Sequence, residues 1–168
     1  ARPGTAARLA REAEVLAALE HDAFPRFVER VDGGYVMELI TGRSLDAVAR
    51  AWSADVSLSL LGQLADALAA LHGRGWIHRD LSTGNVIVEG GGRLRVIDLG
   101  AAAPTRGSDL TEPGRVVGAR PQPPEGPVTT PARDAWTVGA LWRELWADAP
   151  PAGRLREVIE GLLESDPD

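Results

Sequence analysis

The stretch WIHRDLSTGNVIV, residues 76–88, constrains the fold more than any other part of the chain. An apolar pair, Trp76 and Ile77, runs into His78, Arg79 and Asp80. Small and polar residues follow, and Asn85 opens a second apolar run, Val86–Val88. Short apolar runs bounded by turn residues read as strands buried in a core. A polar block braced between such runs is held at a fixed separation, with the strands acting as rigid rails. A further strand-like run, LRVIDL at 94–99, carries Asp98. The joining EGGGR reads as a hairpin turn, since it lacks the G-x-G-x-x-G spacing and no helix follows it. Two carboxylates and one amide are therefore gathered by neighbouring β-type segments.

Bulk properties exclude several classes. The chain has 168 residues, 44% of them apolar and 25% charged, which suits one globular domain. A net charge of −6 argues against general nucleic-acid binding, which needs clustered positive charge. No run of about 20 unbroken apolar residues marks a membrane segment, and ARPGTAARLAREAE at the start has no signal-peptide core. The chain has no cysteine, so disulfides and thiolate metal sites are excluded, and the expected location is the cytoplasm. All 18 basic residues are Arg; with abundant Ala, Gly and Pro, this points to a GC-rich, bacterial coding background. It also excludes chemistry that needs a lysine from within these residues.

The remaining chain reads as mixed helix and strand. Thr5 is a candidate N-cap for a helix running to about Glu20, with Leu9, Glu12, Leu16 and Leu19 on one face. A carboxylate at Glu12, among leucines, either leans from the helix rim into solvent, the usual fate of such residues, or waits for a cation. FVERVDGGYVMEL reads as a hairpin about DGG, and TGRSLDAVARAW as a turn and a short helix. VSLSLLGQLADALAALHGRG reads as a long helix with Leu60, Leu61, Leu64, Leu68 and Leu71 inward, closed by Gly73. Residues 101–131 have no periodicity and read as one irregular segment. DAWTVGALWRELW and GRLREVIEGLLES return to helix.

HRDLSTGN, followed after a hairpin by DLG, matches the catalytic-loop pattern H-R-D-L-x-x-x-N and the position of D-F-G in the protein kinase family. Nearly the whole chain resembles that family. The resemblance implies an α+β, kinase-like bilobal fold: a partial, remnant N-lobe at 1–40 (helix C plus the hairpin) and a mainly helical C-lobe at 41–168. The C-lobe would contain a catalytic loop at 78–85 and an activation segment at 98–125. The function implied is transfer of the ATP γ-phosphate to Ser or Thr hydroxyls of a protein, with ATP and Mg²⁺ as cofactors. Asp80 would orient the acceptor hydroxyl and take its proton, Arg79 would clamp a phosphorylated activation loop, and Asn85 and Asp98 would be metal ligands. Candidate phosphosites there are Thr105, Ser108 and Thr111. Glu12 resembles the helix-C glutamate that pairs with a strand-3 lysine. Met37 resembles the gatekeeper, Glu38 to Ile40 the hinge beside adenine, and Ile87 the floor beneath it. Phe27, Leu16, Leu99 and His78 resemble a spine above Asp134, and PPE at Glu125 resembles A-P-E.

The pattern also has departures. The strand-3 lysine and glycine-rich loop are absent, and truncation at both ends is the expected reason, with other domains of a longer polypeptide as possible partners. Ser82 stands where Ser/Thr kinases carry a lysine, and Ala119 where they carry a threonine. WADAPPAGRLREV leaves little room for a helix-G platform. Two alternatives follow: a pseudokinase or regulatory nucleotide-binding module, and a small-molecule phosphotransferase of the antibiotic-kinase kind. The second generally lacks A-P-E and the DAWTVG helix.

Overall fold

A computed structural model describes residues 5–49, 52–105 and 130–164. Helix α1 spans Thr5–Ala18 and turns Ala13, Val15 and Leu16 inward. The helix stops short of Glu20, because Leu19 N–H tightens back onto the Leu16 carbonyl at 3.3 Å. Strands β1 (Phe27–Val31) and β2 (Gly34–Met37) form the expected antiparallel hairpin. Its turn places Gly33 at φ +75°, a left-handed conformation that glycine adopts at little cost.

A two-residue strand β3 (Arg43–Ser44) leads into α2 (Leu45–Ala49). Gly42 before it is required by contact: a Cβ there would meet the Val88 carbonyl oxygen at 2.6 Å. Helix α3 spans Ala54–Gly73, and the Ser53 hydroxyl caps it by accepting the Val56 N–H at 3.3 Å. Gly73 is its last helical residue, but the left-handed position lies two residues on, at Gly75, φ +80°. By length and composition α3 is apolar enough to cross a membrane. Here its Leu60, Leu61, Leu64, Leu68 and Leu71 are all buried in the core.

The segment of interest follows: β4 (Trp76–Ile77), a 3-10 turn at Thr83–Asn85, β5 (Val86–Val88), β6 (Leu94–Val96) and β7 (Ala103–Pro104). Strands β3, β5 and β6 form one antiparallel sheet, with Val86 opposite Val96 and Val88 opposite Leu94. Strand β7 returns to β4, pairing Ile77 with Ala103 and Trp76 with Pro104. The irregular reading of 101–131 thus fails at its start, because a two-residue strand has no alternation to detect. Ser108, Thr111, Ala119 and Glu125 lie outside the described residues.

Helices α4 (Pro131–Leu145) and α5 (Gly153–Leu163) complete the α+β architecture. Pro131 starts α4 earlier than DAWTVG, its fixed φ suiting the first helical position. Gly139 lets the two helices meet; a Cβ there would stand 2.9 Å from Leu162 Cβ. A single apolar cluster runs through Leu16, Phe24, Leu45, Leu64, Leu71, Val86, Leu99 and Trp142. Leu64 is fully buried in it, so Leu64→Ala is expected to lower the unfolding free energy by about 2–5 kcal/mol. Val56 on the exposed side of the same helix should change it by no more than about 0.5 kcal/mol when cut to Ala. Urea denaturation of both variants checks the contrast.

Candidate active site

The site is organised from below by a buried carboxylate. Asp134 on α4 is 1% exposed and accepts the backbone N–H groups of His78 at 2.8 Å and Arg79 at 3.0 Å. His72 on α3 places Nε2 2.8 Å from the same carboxylate, which requires the proton on that nitrogen. Burial alone would push the Asp134 carboxyl up; the His72 bond, the His78 ring and the two backbone donors outweigh it and hold it below the usual range. Arg79 is bent to φ +67° directly over this anchor. Its side chain is exposed and lies near enough to Arg133 to add to the burial that lowers that guanidinium's pKa.

Asp80 is buried, and its carbonyl accepts the Asn85 side-chain N–H at 3.0 Å. That bond leaves the Asn85 amide oxygen as the end available to a cation. The Asn85 carbonyl in turn accepts the Ile97 N–H at 2.9 Å, which puts the residue before Asp98 against the turn. A continuous chain of bonds therefore joins Asp80, Asn85 and the Asp98 segment.

Asp98 stands at φ +62°, a second non-glycine residue in the left-handed region. Such a conformation costs on the order of 1–3 kcal/mol and persists only where neighbours over-determine it. Here the Gly100 N–H donates to Asp98 Oδ1 at 3.2 Å, and Arg8 Nη2 on α1 bonds to both oxygens at 3.1 Å. Glu12, one turn along α1, accepts the Leu99 N–H at 3.1 Å. Among the described residues no cation lies within ion-pair distance of Glu12, so a backbone donor replaces the cation that its sequence position called for. The Tyr35 hydroxyl pKa is raised, first by burial and then by its hydrogen bond to Glu12.

Arg8, Glu12, Tyr35, Met37, Ile97 and Asp98, with Thr5 and Leu9, line a cleft of about 390 Å³. It thus brings together three of the expected positions: Glu12, Met37 and Asp98. Glu38 and Ile40 lie beyond its rim, and Ile87 sits in β5 opposite Ser44 and Arg95. The Glu38 side chain faces away from a ligand role. Arg95, almost fully buried, binds its two oxygens at 2.7 and 3.3 Å, and the Arg26 N–H adds a third bond; together these hold the carboxyl below its usual pKa. The Glu38 N–H is spent on the Arg26 carbonyl at 2.9 Å, while Leu39 beside it is 84% exposed. Leu16 and Leu99 are buried in the core, Phe27 packs against its edge, and His78 is fully buried on Asp134.

Arg8 and Tyr35 were missed by the sequence reading. Arg8 lies four residues before Glu12, the spacing that stacks side chains on one helical face. Tyr35 alternates with Met37 on β2 in the same way.

The chain falls within a known family. A family model described as protein kinase domain matches residues 2–163. The chain belongs to the protein kinase family. It is 35% identical to serine/threonine-protein kinase PkaA of Streptomyces coelicolor over 95% of its length, and 35% identical to serine/threonine-protein kinase pkn2 of Myxococcus xanthus over 84%. With serine/threonine-protein kinase PknA of Mycobacterium tuberculosis it shares 30% over 79%. The matched part is 32%, 19% and 33% of those proteins respectively, so this kinase domain spans a third or less of each.

The donor set fits the Mg²⁺ that the family implies. Among the described residues no group of three or more His, Asp or Glu converges. Mg²⁺ rarely uses an all-protein cage; it takes one or two protein oxygens and completes its shell with water and phosphate. One carboxylate, Asp98, and one amide oxygen, Asn85, suit that habit.

The buried imidazole gives a pH test. Burial holds His78 below the ordinary value of 6.5, against the pull of Asp134. The unfolded chain therefore takes up a proton near pH 6.5 that the folded chain refuses. Stability present above that pH is lost as the pH falls toward the depressed folded pKa. His78→Phe is expected to flatten the decline of Tm between about pH 6.5 and 5, read by thermal melts across that range. The Asp134 contribution is lost only at lower pH, below its unfolded value of 3.8.

Proposed function

We propose that this kinase domain transfers the γ-phosphate of ATP to Ser or Thr hydroxyls of a protein substrate. The reading rests on one observation: hydrogen bonds link the Asp80 carbonyl to the Asn85 side chain and the Asn85 carbonyl to Ile97, the residue before Asp98, and Ile97 and Asp98 line a cleft. Phosphoryl transfer asks little covalent chemistry of the protein and much positioning. Asp80, braced from below through Asp134, orients the acceptor hydroxyl; its carboxylate takes the proton as the new O–P bond forms and ADP leaves. Asn85 and Asp98 are the residues that would hold Mg²⁺, which supplies neutralisation of the phosphate charge. Met37, the backbone of Glu38 to Ile40, and Ile87 are the residues that would hold the adenine, with the Glu38 N–H already bound to the Arg26 carbonyl. Glu12 steadies the Asp98 segment through the Leu99 N–H. Residues 1–40 form part of an N-lobe, 41–168 belong to the C-lobe, and the domain works in the cytoplasm.

Arg79 is assigned to an anion in the activation segment. Its exposed guanidinium lies near Arg133, and two like charges placed together favour an anion between them.

Ser82, in place of a lysine at the transferred phosphate, favours a second reading as a regulatory nucleotide-binding module. Two variants of the complete protein separate the readings. Asp80→Asn is expected to cut phosphate transfer by about 10²–10⁴-fold while leaving nucleotide affinity nearly unchanged; near-normal turnover would remove Asp80 from its role. Asp98→Ala should abolish the Mg²⁺-dependent part of ATP binding by calorimetry. Wild-type protein that binds Mg²⁺·ATP without phosphorylating itself or any protein would support the module instead.

A further inference from the structure

Arg8 is used by none of the roles above, yet it holds the residue on which they depend. A single nitrogen, Nη2, lies 3.1 Å from both carboxylate oxygens of Asp98. It thus stands astride the carboxylate, where a cation shared between the oxygens would also stand. A Mg²⁺ ion approaches a carboxylate oxygen to about 2.0–2.1 Å and brings further ligands with it. Nitrogen and metal cannot share that space.

Two further observations mark this contact as built. A Cβ on Gly100 would sit 3.1 Å from Arg8 Nε and 3.3 Å from Asp98 Oδ1, so a side chain there would crowd the contact and make the guanidinium give by a few tenths of an ångström. The neighbouring ties from α1 reach backbone, not charge: Glu12 accepts the Leu99 N–H, and Arg11 Nη1 donates to the Ala102 carbonyl at 3.1 Å. These two can persist when Arg8 lets go. Arg8 is also the only cationic side chain among the described residues that line the cleft, and Glu12 lines the same wall.

We propose that Arg8 is the resident counter-ion of Asp98, and that its guanidinium and a divalent cation occupy this carboxylate in turn. The inference rests on Asp98 being a metal ligand, as read above. In the metal-free protein the arginine balances the Asp98 charge and keeps the strained loop in place. Metal entry displaces it without undocking α1. Side chains 43% and 35% exposed make the pair weak enough to exchange.

The test is Mn²⁺ alone, titrated into the complete protein, with free Mn²⁺ read by electron paramagnetic resonance. Arg8→Ala is expected to bind Mn²⁺ about two- to fivefold more tightly than wild type at low salt. The gain should shrink at about 0.5 M salt, where exposed charges are screened. Arg8→Lys, which keeps the charge on a differently shaped head, should fall between the two. Both positions are half-exposed, and a thermal melt confirms folding of each variant. Unchanged or weaker Mn²⁺ binding by Arg8→Ala overturns the inference and leaves the metal site standing. The same gain in an Asp98→Ala background also overturns it, because the effect would then be general electrostatics. Absence of Mn²⁺ binding in every variant overturns the metal-site reading together with this inference.

Discussion

A carboxylate with almost no access to water is costly to keep ionised, and Asp134 is kept so by three donors on two other elements. Those bonds do more than offset desolvation. They draw α3, α4 and the loop after β4 to one point and fix the peptide groups of His78 and Arg79. With them fixed, the left-handed turn at Arg79 is tolerated, and Asp80 emerges in one orientation. Remove the anchor and the loop has no reason to keep a conformation that its side chains resist. Asp80 carries the charge, but its placement belongs to a residue far along the chain.

A second set of constraints acts from above. The β5–β6 hairpin sets Asn85 and Asp98 close together through the Ile97–Asn85 bond, and α1 reaches down to the same segment with Arg8, Arg11 and Glu12. Arg95 performs a parallel service on the other side, linking β6 to Glu38 and to the Phe24 carbonyl. Rigid strands thus set the distance between groups, while polar side chains from neighbouring elements set their direction.

Much of this was legible in the residues. HRDLSTGN and DLG announced the site because strand-flanked polar residues at fixed offsets leave few arrangements, and the leucine spacing of α3 announced its buried face. What escaped was whatever depends on contact between distant segments. The β4–β7 ribbon has two residues per strand, too few for a period. The pairing of Glu12 with a backbone N–H could not be told from a pairing with a cation, since both need a carboxylate on an inward face. Arg95 sits in a strand where a surface position was equally consistent; the approach of Glu38, Glu89 and the Phe24 carbonyl explains its burial. Arg8 shares the face of Glu12 but has no neighbours in sequence to mark it.

The stacking of Arg11 on Trp76 has an optical consequence. The guanidinium carbon lies 5.5 Å from the indole centroid, and the indole belongs to β4, just before His78. Trp52 lies between α2 and α3, and Trp136, Trp142 and Trp146 are in or beside α4, while Trp76 stacks against Arg11 of α1. A cation lifted from an indole changes the polarity around it and hence its emission. Trp76 is thus a native fluorophore whose colour and intensity report whether α1 is seated.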